Sequence, residues 1–249
     1  MVITSIIAIK KMKQIILYLF ILLGISASAQ QFSIGVRGGY GNNSMDLLKD
    51  FQLLRTNQLE FPLKITENYP ATLFYRGEAA LNNIKYIGKI ALFYGYYSTG
   101  ARSTVSDYSG RIDLDAVING HQMGLTIQKD FYHTGNWSLG AYGDASWLFS
   151  NLKTSDNLQI TYPAEISEKQ DYKLISNGFA LEPGAFIVYK FKPILFQFNL
   201  GFMFDHGGKL HVEGNKDMMI GVNNEPVTSQ WQGFRLGLQV SYLFGRSLE

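Results

Sequence analysis

From Gln31 onward, apolar and polar residues alternate with a period of two, the repeat of a strand whose two faces meet different surroundings. Eight segments carry the pattern. The first sets Phe32, Ile34, Val36 and Tyr40 against Ser33, Gly35, Arg37 and Gly39, and the second sets Leu73, Tyr75, Ala79 and Leu81 against Thr72, Arg76 and Glu78. The third opposes Tyr86, Ile90, Leu92, Tyr94 and Tyr96 to Lys85, Lys89 and Gly95, and the fourth opposes Met123, Leu125, Ile127 and Phe131 to Gln122, Gly124, Thr126, Gln128 and Asp130. In the fifth, Trp137, Leu139, Ala145, Trp147 and Phe149 alternate with Ser138, Gly140, Tyr142 and Asp144. Leu181, Ala185, Ile187, Tyr189 and Phe191 face away from Glu182, Gly184 and Lys190 in the sixth. Phe196, Phe198, Leu200, Phe202 and Phe204 oppose Gln197, Asn199, Gly201 and Asp205 in the seventh, and Phe234 to Phe244 oppose Arg235, Gly237, Gln239 and Ser241 in the eighth.

The connections alternate as well. Asn82–Ile84, Tyr132–Asn136 and Lys192–Pro193 are short, whereas 41–71, 98–117, 150–177 and 206–230 are long. Short turns at one end and long loops at the other predict an all-β chain: an eight-stranded antiparallel up-and-down transmembrane β-barrel with periplasmic turns and extracellular loops. A soluble eight-stranded barrel would turn the same apolar faces inward around a ligand. Three features favour the membrane. Each segment reaches the length of about ten residues that a tilted spanning strand needs. Aromatics gather near the ends of the apolar faces, as in interfacial girdles. Glycines recur on the polar face, where a narrow interior crowds larger side chains.

The first thirty residues read differently. Lys10, Lys11 and Lys13 precede the apolar run Ile15–Ile25, and Ser26–Gln30 places Ala27 and Ala29 in an A-x-A cleavage site. This is the pattern of a secretory signal peptide, so residues 1–29 are expected to be removed and 30–249 to form the barrel domain. The run is roughly half the ~20 apolar residues of a spanning helix. Met12 is an alternative start, since a complete signal follows it. The change in charge matters more than its total: the chain has 22 Lys plus Arg against 20 Asp plus Glu, and loss of the leader leaves 19 against 20. A mature chain so balanced gives no footprint for nucleic acid. With no Cys, a lipid anchor, a thiolate metal site and a disulfide scaffold all drop out.

Seven ionisable residues fall on the polar face at interior depth: Arg37, Arg76, Glu78, Lys89, Asp144, Glu182 and Arg235. They could form a gated ion path or proton relay, or a packed, salt-bridged plug. An interior just wide enough for side chains favours the plug, and burial of charge requires pairing. No catalytic, cofactor or metal site is expected. None of the four His is followed two residues later by Ser, the pair carried by one type of lipid-modifying barrel. His206 and His211, with Asp205, Glu213 and Asp217, match no ligand spacing. In the first long connection Met45, Leu47, Leu48, Phe51 and Leu54 recur near a helical period, which suits a short interfacial helix or a strand extension. Leu158–Tyr162 and Phe61–Ile65 alternate again, as strands projecting beyond the membrane with partly unpaired edges would.

The last segment, with Gly237, Val240, Tyr242 and Phe244, looks like the C-terminal assembly signal of outer-membrane barrels. In architecture the chain resembles the small eight-stranded barrels typified by the OmpX and OmpA transmembrane domains. More narrowly, it is similar to the porin-like outer-membrane β-barrel proteins of Bacteroidota. The resemblance implies a Gram-negative outer membrane, lipid around the wall and the barrel-assembly machinery as a partner during biogenesis. It also implies a range of roles. The expectation is a structural or adhesive surface protein acting through its extracellular loops on an extracellular or envelope protein. The alternatives are an accessory subunit of a secretion or assembly machine, a narrow porin, or a lipid-modifying barrel.

Overall fold

In chain order the elements are β1 (Gln31–Gly41), α1 (Asp46–Asn57), β2 (Lys64–Asn68), β3 (Thr72–Ile84), β4 (Gly88–Asp107), β5 (Gly110–Thr134), β6 (Trp137–Ile160), β7 (Ile166–Phe191) and β8 (Ile194–His206). Four short strands follow, β9 (His211–Val212), β10 (Asn215–Met219), β11 (Gly221–Val222) and β12 (Glu225–Pro226), before β13 (Gly233–Phe244). The computed structural model describes residues 31–59, 62–161, 166–222 and 225–244. The Ala27–Ala29 cleavage site lies outside the described residues.

Eight of these strands form a ring. β1 pairs with β3, β3 with β4, and so on through β8; β13 then pairs with both β8 and β1, every pairing antiparallel. Closure leaves no strand edge within the ring, the condition for crossing a bilayer with strands. No helix of the described residues is long and apolar enough to cross a membrane.

Register turns the two-residue period into two surfaces. Ile34, Ala79, Leu92, Leu125, Ala145, Leu181 and Phe204 are successive cross-strand neighbours and make one apolar row around the outside. Exposed Val36, Leu236, Phe198, Ile187, Trp147 and Met123 extend that surface into a belt. At the short-turn end Trp137 packs on Tyr189, and Phe244 on Phe32 and Tyr242. Trp147 and Phe179 meet edge to face at the other end. Of the C-terminal residues, Val240, Tyr242 and Phe244 therefore point outward, and Gly237 points in against Arg37 and Phe74.

Two of the long connections are not loops. β4 and β5 run on as a paired ladder to Asp107 and Gly110, and β6 and β7 are paired as far as Ile160 and Ile166. β5 alone has 25 residues, against the 9–11 or so that a tilted spanning strand needs. The expectation of loops at 98–117 and 150–177 is thus corrected to a four-stranded sheet projecting from the barrel, in which the projecting strand expected from Leu158 is present as far as Ile160. The reversal at its tip is Tyr108–Ser109, where the Ser109 hydroxyl and backbone N–H both donate to Asp107 and hold its carboxyl below the usual range. β2 pairs with β4 on one flank, and β9 touches β7 at Leu174 and Ile175 on the other.

The helix in the first connection forms, but not at a membrane interface. Gln52 donates to the Ser103 hydroxyl at 2.9 Å and to the Leu114 carbonyl at 3.1 Å. Arg55 pairs with Asp156. α1 thus lies on the inner face of the projecting sheet, directly above the barrel mouth, with Leu48 fully buried there.

Candidate functional site

Inward positions stack in two layers of opposite chemistry. The lower layer is charged. Arg37 on β1 and Arg76 on β3 are direct cross-strand neighbours, as are Asp144 on β6 and Glu182 on β7. Like charges placed opposite each other destabilise a sheet. Here the two pairs stand on facing walls and compensate across the lumen. Arg76 bonds Asp144 and the Thr126 hydroxyl, and Arg37 lies 3.8 Å from Glu182. Arg235 on β13 approaches the other Glu182 oxygen at 3.8 Å, and the Tyr142 hydroxyl donates to Glu182 at 2.8 Å.

Glu78 completes the layer toward the short-turn end. It pairs with Lys89, stands 3.7 Å from Arg76 and accepts from Gln239 Nε2 at 2.6 Å. Arg37 Nε also donates to Gln239 and Arg235 to the Trp231 carbonyl, and rings add to these: Arg76 lies 3.5 Å from the Phe93 centroid and Arg235 lies 4.2 Å from that of Tyr97, a favourable placement for a desolvated cation. All seven predicted interior residues are in this layer, and six of them are at most 5% exposed. Small residues make the room. A Cβ on Gly184 would run into the Tyr142 ring, and one on Gly201 would run into its hydroxyl.

An eighth charge stands on the same polar face. Asp205 faces inward at the top of β8, where it accepts from the Trp231 backbone N–H at 2.8 Å. The alternation of the seventh segment already sets Asp205 opposite Phe204, although it is not among the seven residues expected at interior depth. With Asp205 the interior holds four positive and four negative groups.

Above the charges sits an apolar layer. Met45 and Leu48 from the first connection, Leu210 and Trp231 from the last, and Ile118, Leu148, Leu152, Leu174 and Met203 from the strands form one buried cluster. Trp231 is its centre: fully buried, against Tyr97 at 5.7 Å, with its indole N–H donated to the Ser150 hydroxyl at 2.8 Å. Gly120 opens space beneath it, since a Cβ there would meet the indole at 2.9 Å.

Outside the cap, the outer edge of β7 stands bare. Ile166–Tyr172 pairs with β6 along its whole length. On its other side no strand of the described residues is paired with it, and all seven residues are exposed.

A closed antiparallel ring of eight strands with an apolar exterior and a charged, narrow interior defines the class: an outer-membrane-type β-barrel fold. No family model matches the chain, and no curated protein does. Among solved structures, a major outer membrane protein from Thermus thermophilus superposes with a TM-score of 0.52 at 13% identity, over 87% of this chain and 100% of that one. Neisserial surface protein A matches at 0.37 and 11% identity over 86% of this chain and 97% of its own. The attachment invasion locus protein Ail of Yersinia pestis, solved with the heparin analogue sucrose octasulfate, matches at 0.32 and 11% over 87% and 99%. With the Thermus protein the chain shares the fold.

Proposed function

We propose that the chain is an integral outer-membrane protein, exported with removal of residues 1–29, that closes its own lumen and displays a β-sheet outside the cell for adhesion. The short-turn end then faces the periplasm and the projecting sheet faces outward. Closure is supported by the neutral set of interior charges beneath an apolar cap. In planar bilayers the purified barrel is expected to give no stable conductance steps, and sustained openings of nanosiemens size would overturn the closed lumen.

The observation that carries the adhesive reading is the bare edge of β7. A strand edge offers a row of unpaired N–H and C=O groups, which an extended segment of another protein can match by strand addition. The Glu168, Lys169 and Asp171 side chains along it discourage unselective edge-to-edge pairing, as charged edges do. The partner is therefore an extended peptide segment of a surface or matrix protein.

Proline at two successive positions tests this. Backbone N–H groups alternate between the two sides of a strand, so of Glu168→Pro and Lys169→Pro one removes a donor from the free edge and the other breaks the ladder to β6. Cell or matrix binding should fall about tenfold or more in the free-edge variant while its β6–β7 amides stay protected. Full binding by both variants and by a chain lacking residues 158–170 would sink the adhesive reading.

A further inference from the structure

The bare edge of β7 has a fixed ladder phase. At its lower end the Glu213 backbone N–H donates to the Lys173 carbonyl at 3.4 Å, so Lys173 turns its backbone groups away from β6. The β6–β7 register runs without a shift from Ile166 to Lys173, and backbone groups alternate in side along a strand. Ser167, Lys169 and Asp171 therefore present their N–H and C=O groups to the bare side. A strand added there antiparallel to β7, as β9 is just below, sets each of its side chains on the same face as the β7 residue opposite.

The two faces make different demands on such a strand. Exposed Lys169 and Asp171 stand 3.1 Å apart on the outer face. Opposite charges across a ladder stabilise it and like charges weaken it, so a matching segment carries a base opposite Asp171 and an acid opposite Lys169. On the inner face Glu168 calls for a second base. Tyr172, on the same face, borders a cavity of about 280 Å³. Phe51 of α1 covers this cavity, Thr154 of β6 backs it, and Val212 and Ile220 close its lower side. The side left, beside Tyr172, is that of the bare edge. The Tyr172 hydroxyl donates to Gln170 at 2.9 Å, which draws the ring along β7 rather than across the mouth.

The charged groups lining the cavity are already paired, Arg55 with Asp156 and Lys173 with Glu213 at 2.8 Å. An uncharged side chain therefore suits it. A cavity of about 150 Å³ holds benzene, and this one has room for an aromatic ring. Strand addition takes its affinity from the main chain and its specificity from pockets for alternate side chains. We propose, on the premise of strand addition at this edge, that the added segment has the pattern aromatic, base, any residue, acid, base. Its ring sits in the cavity beside Tyr172, and its first base and its acid face Asp171 and Lys169.

The test is a titration of the isotope-labelled full barrel, in uncharged maltoside micelles, with the capped peptide Phe-Lys-Thr-Glu-Lys-Thr, followed by amide NMR. Saturable shifts are expected at Ser167, Lys169 and Asp171 along the edge, and at Phe51, Val212 and Ile220 around the cavity. Alanine in place of the peptide's Phe should weaken binding about tenfold. Exchanging its second and fourth residues should do the same, and the double variant Lys169→Asp, Asp171→Lys should reverse that preference. Lys169→Pro should weaken every peptide, as the ladder phase requires. Edge shifts with none at Phe51, Val212 and Ile220 would overturn the seated ring. Equal binding of the three peptides would overturn the pattern, and so would the absence of any saturable response. The adhesive reading stands or falls separately, on the cell-binding assay of the proline variants.

Discussion

Arg76→Ala should destabilise the barrel by about 3–5 kcal/mol, because it leaves charge buried and unpaired. Asp144 and Thr126 lose their bonded partner, and Glu78 keeps Lys89 as its one cation, beside the Gln239 amide. The removed guanidinium also uncovers the Phe93 ring. Reversible urea unfolding in phospholipid vesicles measures the loss. The control is the double variant Arg76→Leu, Asp144→Leu, which takes away both charges and keeps the volume. A buried pair exchanged for packed apolar groups is often neutral or better, so it should recover most of the difference. A single variant within about 1 kcal/mol of the parent would mean that water reaches the pair and that the layer is not sealed.

Trp231→Ala should have an effect of similar size in a different place. Removing a fully buried Trp costs about 3–5 kcal/mol through lost contacts and the cavity left behind. The indole N–H to Ser150 goes with it. The loss should be confined to the cap. Hydrogen exchange should accelerate in α1 and in residues 207–232, while the amides of the apolar belt keep their protection, since local stability follows local packing. Conductance should stay absent, because the charged layer lies below. Open-channel steps in this variant would transfer the work of closure from the charges to the cap.

The eight belt segments are legible in the sequence because lipid outside and a polar interior enforce one phase of alternation. Parity puts Arg37 and Asp144 on the same surface, but it says nothing about which residues face each other across a lumen. The pairing depends on register and closure, which no single segment encodes. The projecting sheet is obscured for a specific reason. In β5 the inward residues are even-numbered throughout, apolar at Ile112, Leu114, Ala116 and Ile118 and polar at Gln122, Thr126 and Gln128. Outward residues reverse in the opposite sense, from Arg111, Asp113 and Asp115 to Met123, Leu125 and Ile127. The strand is continuous and its hydrophobic phase is not. A change of phase reads as the end of an element, so 98–117 looks like a loop, and so does 150–177 outside the alternating Leu158–Tyr162.

That inversion of phase, centred near Gly120 and His121 in β5, gives the molecule a waterline. Sliding the barrel outward would lift Met123 and Leu125 into water, and sliding it inward would drag Asp115 and Asp113 into hydrocarbon. A strand that slipped by one residue would violate both media at once, so the error would be penalised on both sides of the line rather than one. Draught and register are thereby set by the same few residues. The long ladder that carries the sheet away from the cell surface also fixes the depth at which the protein floats.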